Sequence, residues 1–182
     1  MKRESSAAYI ARLAITLLLI TAVVAAALAA VNSVTAPKIK AINEQKTQTA
    51  IEAVLPGGGE EIAFTDDSGI VSTIYKGQSG YAVEVTPAGF NGTVTMMVGV
   101  DNTGKVLGIS VVNHTETAGL GAEAASQGAA GTAFRSQFTG MSGSVSVTKD
   151  GGQVDALTGA TITSRAVCTG VNAALNAVAK LG

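Results

Sequence analysis

Cysteine and histidine are almost missing from this chain, with one of each in 182 residues. A single cysteine, Cys168, forms no intrachain disulfide and cannot supply the thiolate set of an iron–sulfur cluster. It lies in an amphipathic C-terminal stretch, where such a residue serves as a small buried hydrophobe. The single histidine, His114, limits catalytic chemistry in the same way. His114-Thr115-Glu116 has the His-x-Glu opening of a zinc deaminase, but that metal site also requires Pro-Cys-x-x-Cys. A serine hydrolase would need His114 as its base. No Gly-x-Ser-x-Gly elbow accompanies it, and Asp101, Asp150 and Asp155 are merely candidates for the acid. A dinucleotide fingerprint is also absent. Charge is scarce, at 14% of residues with a net charge of −1, so no basic stripe exists to meet a nucleic acid. On these residues alone, His114 reads as a brace within a loop and Glu116 as a solvated carboxylate.

What the chain has in excess is apolar residues, 47% of the total, and they are unevenly spread. Leu13 to Val31 carries no charge and is interrupted only by Thr16 and Thr21, about the length an α-helix needs to cross a hydrocarbon core. Met1, Lys2, Arg3 and Arg12 place positive charge on its N-terminal flank, which keeps that end in the cytoplasm. Lys38, Lys40 and Lys46 on the other flank reduce the asymmetry. A cleaved signal peptide is the competing reading, with Ala27-Leu28-Ala29 as a small-residue site. The run exceeds the roughly 7 to 15 residues of a signal core, which favours a retained anchor. Either way, most of the chain lies outside the cytoplasm.

Beyond the anchor, Ala36 to Val54 reads as a polar helical stalk that stops at Leu55-Pro56-Gly57-Gly58-Gly59, with Pro37 either opening that helix or kinking a continuous one. Strand signals follow at Ile70 to Tyr75 and Tyr81 to Thr86, the second with Tyr81, Val83 and Val85 on one face. Val94, Met96, Val98 and Val100 share a face of the next strand. Asp101-Asn102-Thr103-Gly104 turns it into a return strand lined by Leu107, Ile109 and Val111. Thr115 to Gly131 is rich in small residues and reads as a loop or weak helix. Phe134 and Phe138 anchor a short helix, Val145 and Val147 mark a further strand, and Asp150-Gly151-Gly152 is a turn. Val167, Val171, Ala174, Leu175 and Val178 recur at helical spacing. Strands and helices mixed without a βαβ repeat predict an α+β domain with a largely antiparallel sheet.

Two motifs carry chemistry. Asp155-Ala156-Leu157-Thr158-Gly159-Ala160-Thr161 runs into Ile162-Thr163-Ser164 at the head of the last helix. Gly159 and Ala160 have nothing beyond Cβ, so a bulky group can approach the backbone. Thr163 or Ser164 can cap the helix, and an anion on Thr161 would sit at the positive end of its dipole. Taken alone, Thr-Gly-Ala-Thr is equally an ordinary strand-to-helix turn. The second motif, His114-Thr115-Glu116-Thr117-Ala118-Gly119-Leu120-Gly121, lies upstream.

The first motif resembles the flavinylation motif, an Asp, two variable positions, Ser or Thr, then Gly-Ala-Thr. The second resembles the loop preceding that motif in FMN-binding domains of the Rnf and sodium-pumping quinone reductase families. The likeness extends over most of the chain, including the leading membrane helix, Thr35-Ala36-Pro37-Lys38-Ile39 and the Gly89-Phe90-Asn91-Gly92 turn. The short chain favours the FMN-carrying G component of the Rnf complexes over the related C component of the quinone reductases.

This resemblance implies a cytoplasmic N-terminus over residues 1–12, a transmembrane helix over 13–31, a juxtamembrane helical stalk and linker over 32–69, and an extracytoplasmic FMN-binding domain over 70–182. It implies FMN joined through its phosphate to Thr161 by a flavin transferase that draws on FAD. Asp155, Thr158, Gly159 and Ala160 are the matched motif positions, with Asp155 serving recognition or metal-assisted transfer by that enzyme. His114, Glu116, Thr117, Gly119, Leu120 and Gly121 are candidates for the flavin's surroundings, and Thr163 and Ser164 for hydrogen bonds to the phosphate. The implied function is an electron relay between neighbouring subunits of a membrane complex that couples ferredoxin:NAD electron transfer to ion translocation. No acid–base catalyst is required, and membrane lipid is the anchor's partner. A stand-alone covalent-FMN reductase or sensor, and a cofactor-free membrane-anchored binding module, are the rival classes.

Overall fold

An uninterrupted apolar run followed by residues of good helix propensity, with no glycine until Gly57, forms one helix rather than two. In the computed structural model, which describes residues 6–66 and 68–181, helix α1 spans Ser6–Val54. Met1, Lys2 and Arg3 of the positive flank lie outside the described residues. Pro37 lies inside α1 and does not start a separate stalk helix. Its missing N–H leaves one backbone bond of the helix unmade. The chain divides into two units, one ending at Glu44 and the other starting at Gln45. In the first, large apolar side chains from Tyr9 to Ile42 are exposed, and the helix is long and apolar enough to cross a membrane, with a mean hydropathy of 2.7 in its best window.

The second unit is an α+β domain. Strands β1 (Glu60–Ile62), β2 (Val71–Lys76), β3 (Gly80–Val85), β4 (Val94–Asp101) and β5 (Val106–His114) pair antiparallel in chain order. Four of them coincide with the alternating runs in the sequence. The fifth, β1, is only three residues long, falls in the expected linker, and pairs Ile62 with Ile74 at the sheet edge. Helix α2 (Ala129–Ser136) and helix α3 (Thr161–Ala179) complete the unit.

Both faces of the central strands are covered, by different elements. Val83, Val85, Met96, Val98 and Val100 are fully buried in one core with Val167, Val171, Ala174 and Leu175 of α3. On the other face Met97 and Ala82 pack with Ala50, Ile51, Val54 and Leu55, so the end of α1 belongs to this domain. Gly99 makes that approach possible, because a Cβ there would overlap the Val54 carbonyl oxygen. Phe134 and Phe138 are buried edge to face, 5.4 Å between ring centres, and anchor α2 as its sequence suggests.

Two expected features differ. Val145 and Val147 form no strand, although Val147 makes one parallel bridge to Val154. The Asn172 side chain supplies what a strand partner would have given. Its Oδ1 accepts the Val145 N–H at 2.8 Å and its Nδ2 donates to the Val145 carbonyl at 2.8 Å. Nor does Thr163 or Ser164 cap α3. The helix starts at Thr161 with Ala160 at the cap position and no side-chain cap bond, so both hydroxyls fall inside the first turns.

Cys168 is buried on α3, and burial together with the charge of Asp150 pushes its thiol up to about 11. An unfolded thiol titrates near pH ~8.5, so between there and about pH 11 the unfolded state binds fewer protons and stability falls as pH rises. The native protein is predicted to resist an aromatic disulfide reagent at about pH 8 and to react at one thiol per chain in denaturant. Stoichiometric reaction of the native protein would contradict this placement.

Candidate functional site

The Thr161 motif folds into a tight turn because Gly159 adopts φ +74°, a region costly for any residue with a Cβ. The Ala160 N–H donates to the Leu157 carbonyl at 3.0 Å, closing the turn. Ser164 then locks it to the helix, accepting the Leu157 N–H at 3.0 Å and donating to the Ala160 carbonyl at 2.9 Å. Its hydroxyl is fully buried and committed to these bonds. Ser164 therefore shapes the loop and is not available to a bound group.

Thr161 opens onto a cleft of about 340 Å³. Of the residues singled out in the sequence, Glu116, Thr117, Leu120, Gly121, Gly159, Ala160 and Thr163 share its walls with Thr161. Asp155, Thr158 and Gly119 instead line a separate cleft of about 600 Å³, with Leu120 bordering both. The Gln137 amide clamps the Asp155 backbone, accepting its N–H at 2.7 Å and donating to its carbonyl at 3.2 Å, and Asp155 itself is exposed. One motif thus presents two faces, with Thr161 on one and Asp155 and Thr158 on the other. A larger cleft of about 780 Å³ lies beside Tyr81, Asn102, Asn172 and Leu175 and contains none of the motif residues.

Glu116 is not a solvated carboxylate. It is buried, and its Oε1 accepts the N–H groups of Phe90 at 2.8 Å and Asn91 at 3.2 Å, while Oε2 accepts the Thr163 hydroxyl at 2.6 Å. Only donors meet it, the environment that suits an acceptor-only carboxylate. Two glycines make room for it. A Cβ on Gly89 would overlap Oε1, and one on Gly121 would lie 2.5 Å from both Oε2 and the Thr163 hydroxyl oxygen. His114 stays out of the cleft and braces the loop, its Nδ1 accepting the Glu116 N–H at 3.3 Å. A register shift at Thr95/Met96 sets His114 opposite Val94 at the end of β5, so that this loop begins where the turn over residues 89–92 lies.

Three cleft residues were not identified as site residues in the sequence: Phe90, Lys149 and Ile162. Phe90 is 66% exposed and Ile162 is 49% exposed. Outside α1, the described residues expose only four large apolar side chains, Phe90, Leu107, Leu120 and Ile162, and all but Leu107 ring this cleft. Lys149 brings a cation, its Nζ donating to Thr161 Oγ1 at 3.3 Å. The cleft therefore combines a nucleophilic hydroxyl, a cation, an uncapped helix N-terminus and an apolar rim. That donor set suits an anionic group attached to a flat apolar body.

Comparison with known proteins agrees with this chemistry. The model of the FMN-binding domain family matches residues 89–176, which include every residue lining the cleft. The chain is 35% identical to the G component of the Na(+)-translocating ferredoxin:NAD(+) oxidoreductase complex of Acetobacterium woodii, over 88% of this chain and 87% of that one. It is 32% identical to the G component of the ion-translocating oxidoreductase complex of Methanosarcina acetivorans, over 93% and 94%. To the corresponding component of Vibrio parahaemolyticus it is 41% identical over 52% of this chain and 46% of that one.

Glu116→Ala would leave the buried Thr163 hydroxyl and the Phe90 and Asn91 N–H groups without their acceptor, at a predicted cost of about 2–3 kcal/mol. Chemical denaturation of the variant measures this directly. A stability equal to that of the wild type would show that the three bonds contribute nothing net.

Proposed function

The chain belongs to the family of G components of ion-translocating oxidoreductase complexes, and from that premise we propose that it carries FMN, esterified through its phosphate to Thr161, as an electron relay between neighbouring subunits. The observation that carries this reading is the cleft where the Thr161 hydroxyl, the Lys149 cation and three of the four large apolar side chains exposed among the described residues outside α1 converge. FMN has the matching parts, one phosphate and one planar apolar ring system. When bound it would supply the capacity to accept and release electrons, which no side chain here provides.

The residues present fit that cofactor. Thr161, Ile162 and Thr163 precede the first i→i−4 bond of α3, from Ser164 N–H to the Ala160 carbonyl at 3.0 Å, so their N–H groups are free to favour a phosphate. Phe90, Leu120 and Ile162 offer apolar surface for the ring. Thr163 lines the cleft, but its hydroxyl proton already serves Glu116. No acid or base is needed for a relay; position and local charge are what the protein contributes. A phosphoester also explains how a cofactor is retained where replacement is scarce, because a covalent bond removes dissociation.

Helix α1 holds the chain in the membrane as a single span, its apolar side chains meeting lipid. With Arg12 on the N-terminal flank, the favoured orientation places that end in the cytoplasm and the domain outside. Asp155 and Thr158, on the far face of the motif, are accessible to a flavin transferase without obstructing Thr161, consistent with a recognition role. Electrons would pass to and from other subunits of the complex, since the sequence has neither a dinucleotide fingerprint nor a set of cluster cysteines.

The test is a denaturing gel of the protein produced with a flavin transferase. Yellow-green fluorescence should comigrate with the wild-type chain and vanish in Thr161→Ala, with native folding retained. Unchanged fluorescence in that variant would overturn the attachment site, and absence of flavin from the wild type would overturn the relay. Copurification with a multi-subunit membrane complex separates the relay from a stand-alone reductase.

A further inference from the structure

Lys149 is brought to Thr161 by the fold across twelve residues of sequence. It sits in a 3-10 turn over Thr148–Asp150 that is held by the Asp150 N–H bond to the Val147 carbonyl at 2.9 Å and by the Gly152 N–H bond to the same oxygen at 3.0 Å. The adjacent carboxylate, Asp150, is already engaged. Arg165 donates to it through Nε at 2.7 Å and Nη2 at 2.6 Å, and this two-pronged bond holds the Asp150 carboxyl below its usual range. Lys149 forms no ion pair among the described residues, and its one side-chain hydrogen bond among them is to the Thr161 hydroxyl. Among the described residues, no other lysine or arginine lines the cleft. An exposed ammonium bonded to a half-buried hydroxyl contributes little to stability, so its position needs another explanation.

We propose that Lys149 positions and neutralises the phosphate during transfer of FMN to Thr161, and that it then pairs with the single negative charge of the resulting phosphodiester. This rests on the assignment of Thr161 as the attachment site. In the transfer, a bond forms between Thr161 Oγ and the FMN-side phosphorus of FAD, the P–O–P bond breaks and AMP leaves. The hydroxyl proton passes to a base of the transferase or to water, and no electrons change hands. Lys149 serves as the cation of the site and not as the base. Its charge instead meets the negative charge on the phosphoryl oxygens as they approach, and its hydrogen bond fixes the direction of the Thr161 oxygen. Asp150 lies close enough to Lys149 for each charge to act on the other, but both of its carboxylate oxygens are bonded by Arg165.

The experiment follows the initial rate of flavin attachment to the full-length chain in detergent, with transferase and FAD, by in-gel fluorescence. Lys149→Ala should slow attachment about tenfold or more, as expected for loss of a charge-assisted bond to phosphate. Lys149→Glu should be slower still, Lys149→Arg should recover most of the rate, and Lys105→Ala, a change at an exposed lysine outside the cleft, should leave it unaltered. Thermal midpoints of all these variants should match the wild type, since each changed side chain is exposed. A wild-type rate in Lys149→Ala or Lys149→Glu would overturn the proposal, as would an arginine variant no faster than the alanine one. Thr161→Ala, run alongside, separates the two levels. If it remains unlabelled while Lys149→Ala labels at full rate, only the role of Lys149 fails. If it too becomes labelled, the attachment site itself is wrong.

Discussion

Glu116 is a buried carboxylate met by hydrogen-bond donors, with two backbone N–H groups on one oxygen and the Thr163 hydroxyl on the other. Those bonds join three segments distant in sequence: the turn over residues 89–92, the loop after β5 and the first turn of α3. The turn and the loop are also tied to each other, Asn91 Nδ2 donating to the Thr115 carbonyl at 2.8 Å, so the carboxylate's distinct contribution is to join that pair to α3. Phe90, whose N–H is one of the donors, is also the most exposed large apolar residue described outside α1. The same three bonds therefore contribute to the distance between an apolar rim and the Thr161 hydroxyl. Space for Glu116 depends in turn on Gly89 and Gly121, where a side chain would collide with it. The geometry of this side of the cleft depends on this one carboxyl group and the glycines that admit it.

The proposed attachment motif obeys a second constraint, the positive φ of Gly159. The turn it permits separates the motif into an inner face bearing Thr161 and an outer face bearing Asp155 and Thr158. The proposed modification requires a segment that is gripped and reacted at once, and two faces meet both needs. Ser164, buried beneath the turn, keeps it rigid through Leu157 and Ala160. Rigidity here matters to an electron carrier, because transfer depends on where the cofactor is held.

Much of the fold could be read from pattern. The alternation of Val94, Met96, Val98 and Val100 and the helical spacing of Val167, Val171, Ala174 and Leu175 are direct consequences of one-sided burial. What escaped the pattern depends on contacts between remote residues. Val145 has the side chain of a strand residue, yet its backbone is satisfied by the Asn172 side chain on α3. Glu116 reads as solvated in sequence because the glycines and amides that bury it come from other segments of the chain. Lys149 carries no motif of its own and gains meaning only from its 3.3 Å bond to Thr161. Strand β1, at three residues, is too short for periodicity to register. For Thr161 the sequence was informative, since the proposed attachment motif is a linear run of residues; for the surroundings of that hydroxyl, which packing assembles from separate segments, it was not.

A phosphoester at one hydroxyl, among several close by, is the central claim. Trypsin releases residues 150–165 as one peptide, which contains Thr158, Thr161, Thr163 and Ser164. Fragmentation mass spectrometry of that peptide, from protein made with a flavin transferase, should find the mass of FMN less one water, placed on Thr161. An unmodified peptide, or the same added mass on Thr158, Thr163 or Ser164, would contradict it.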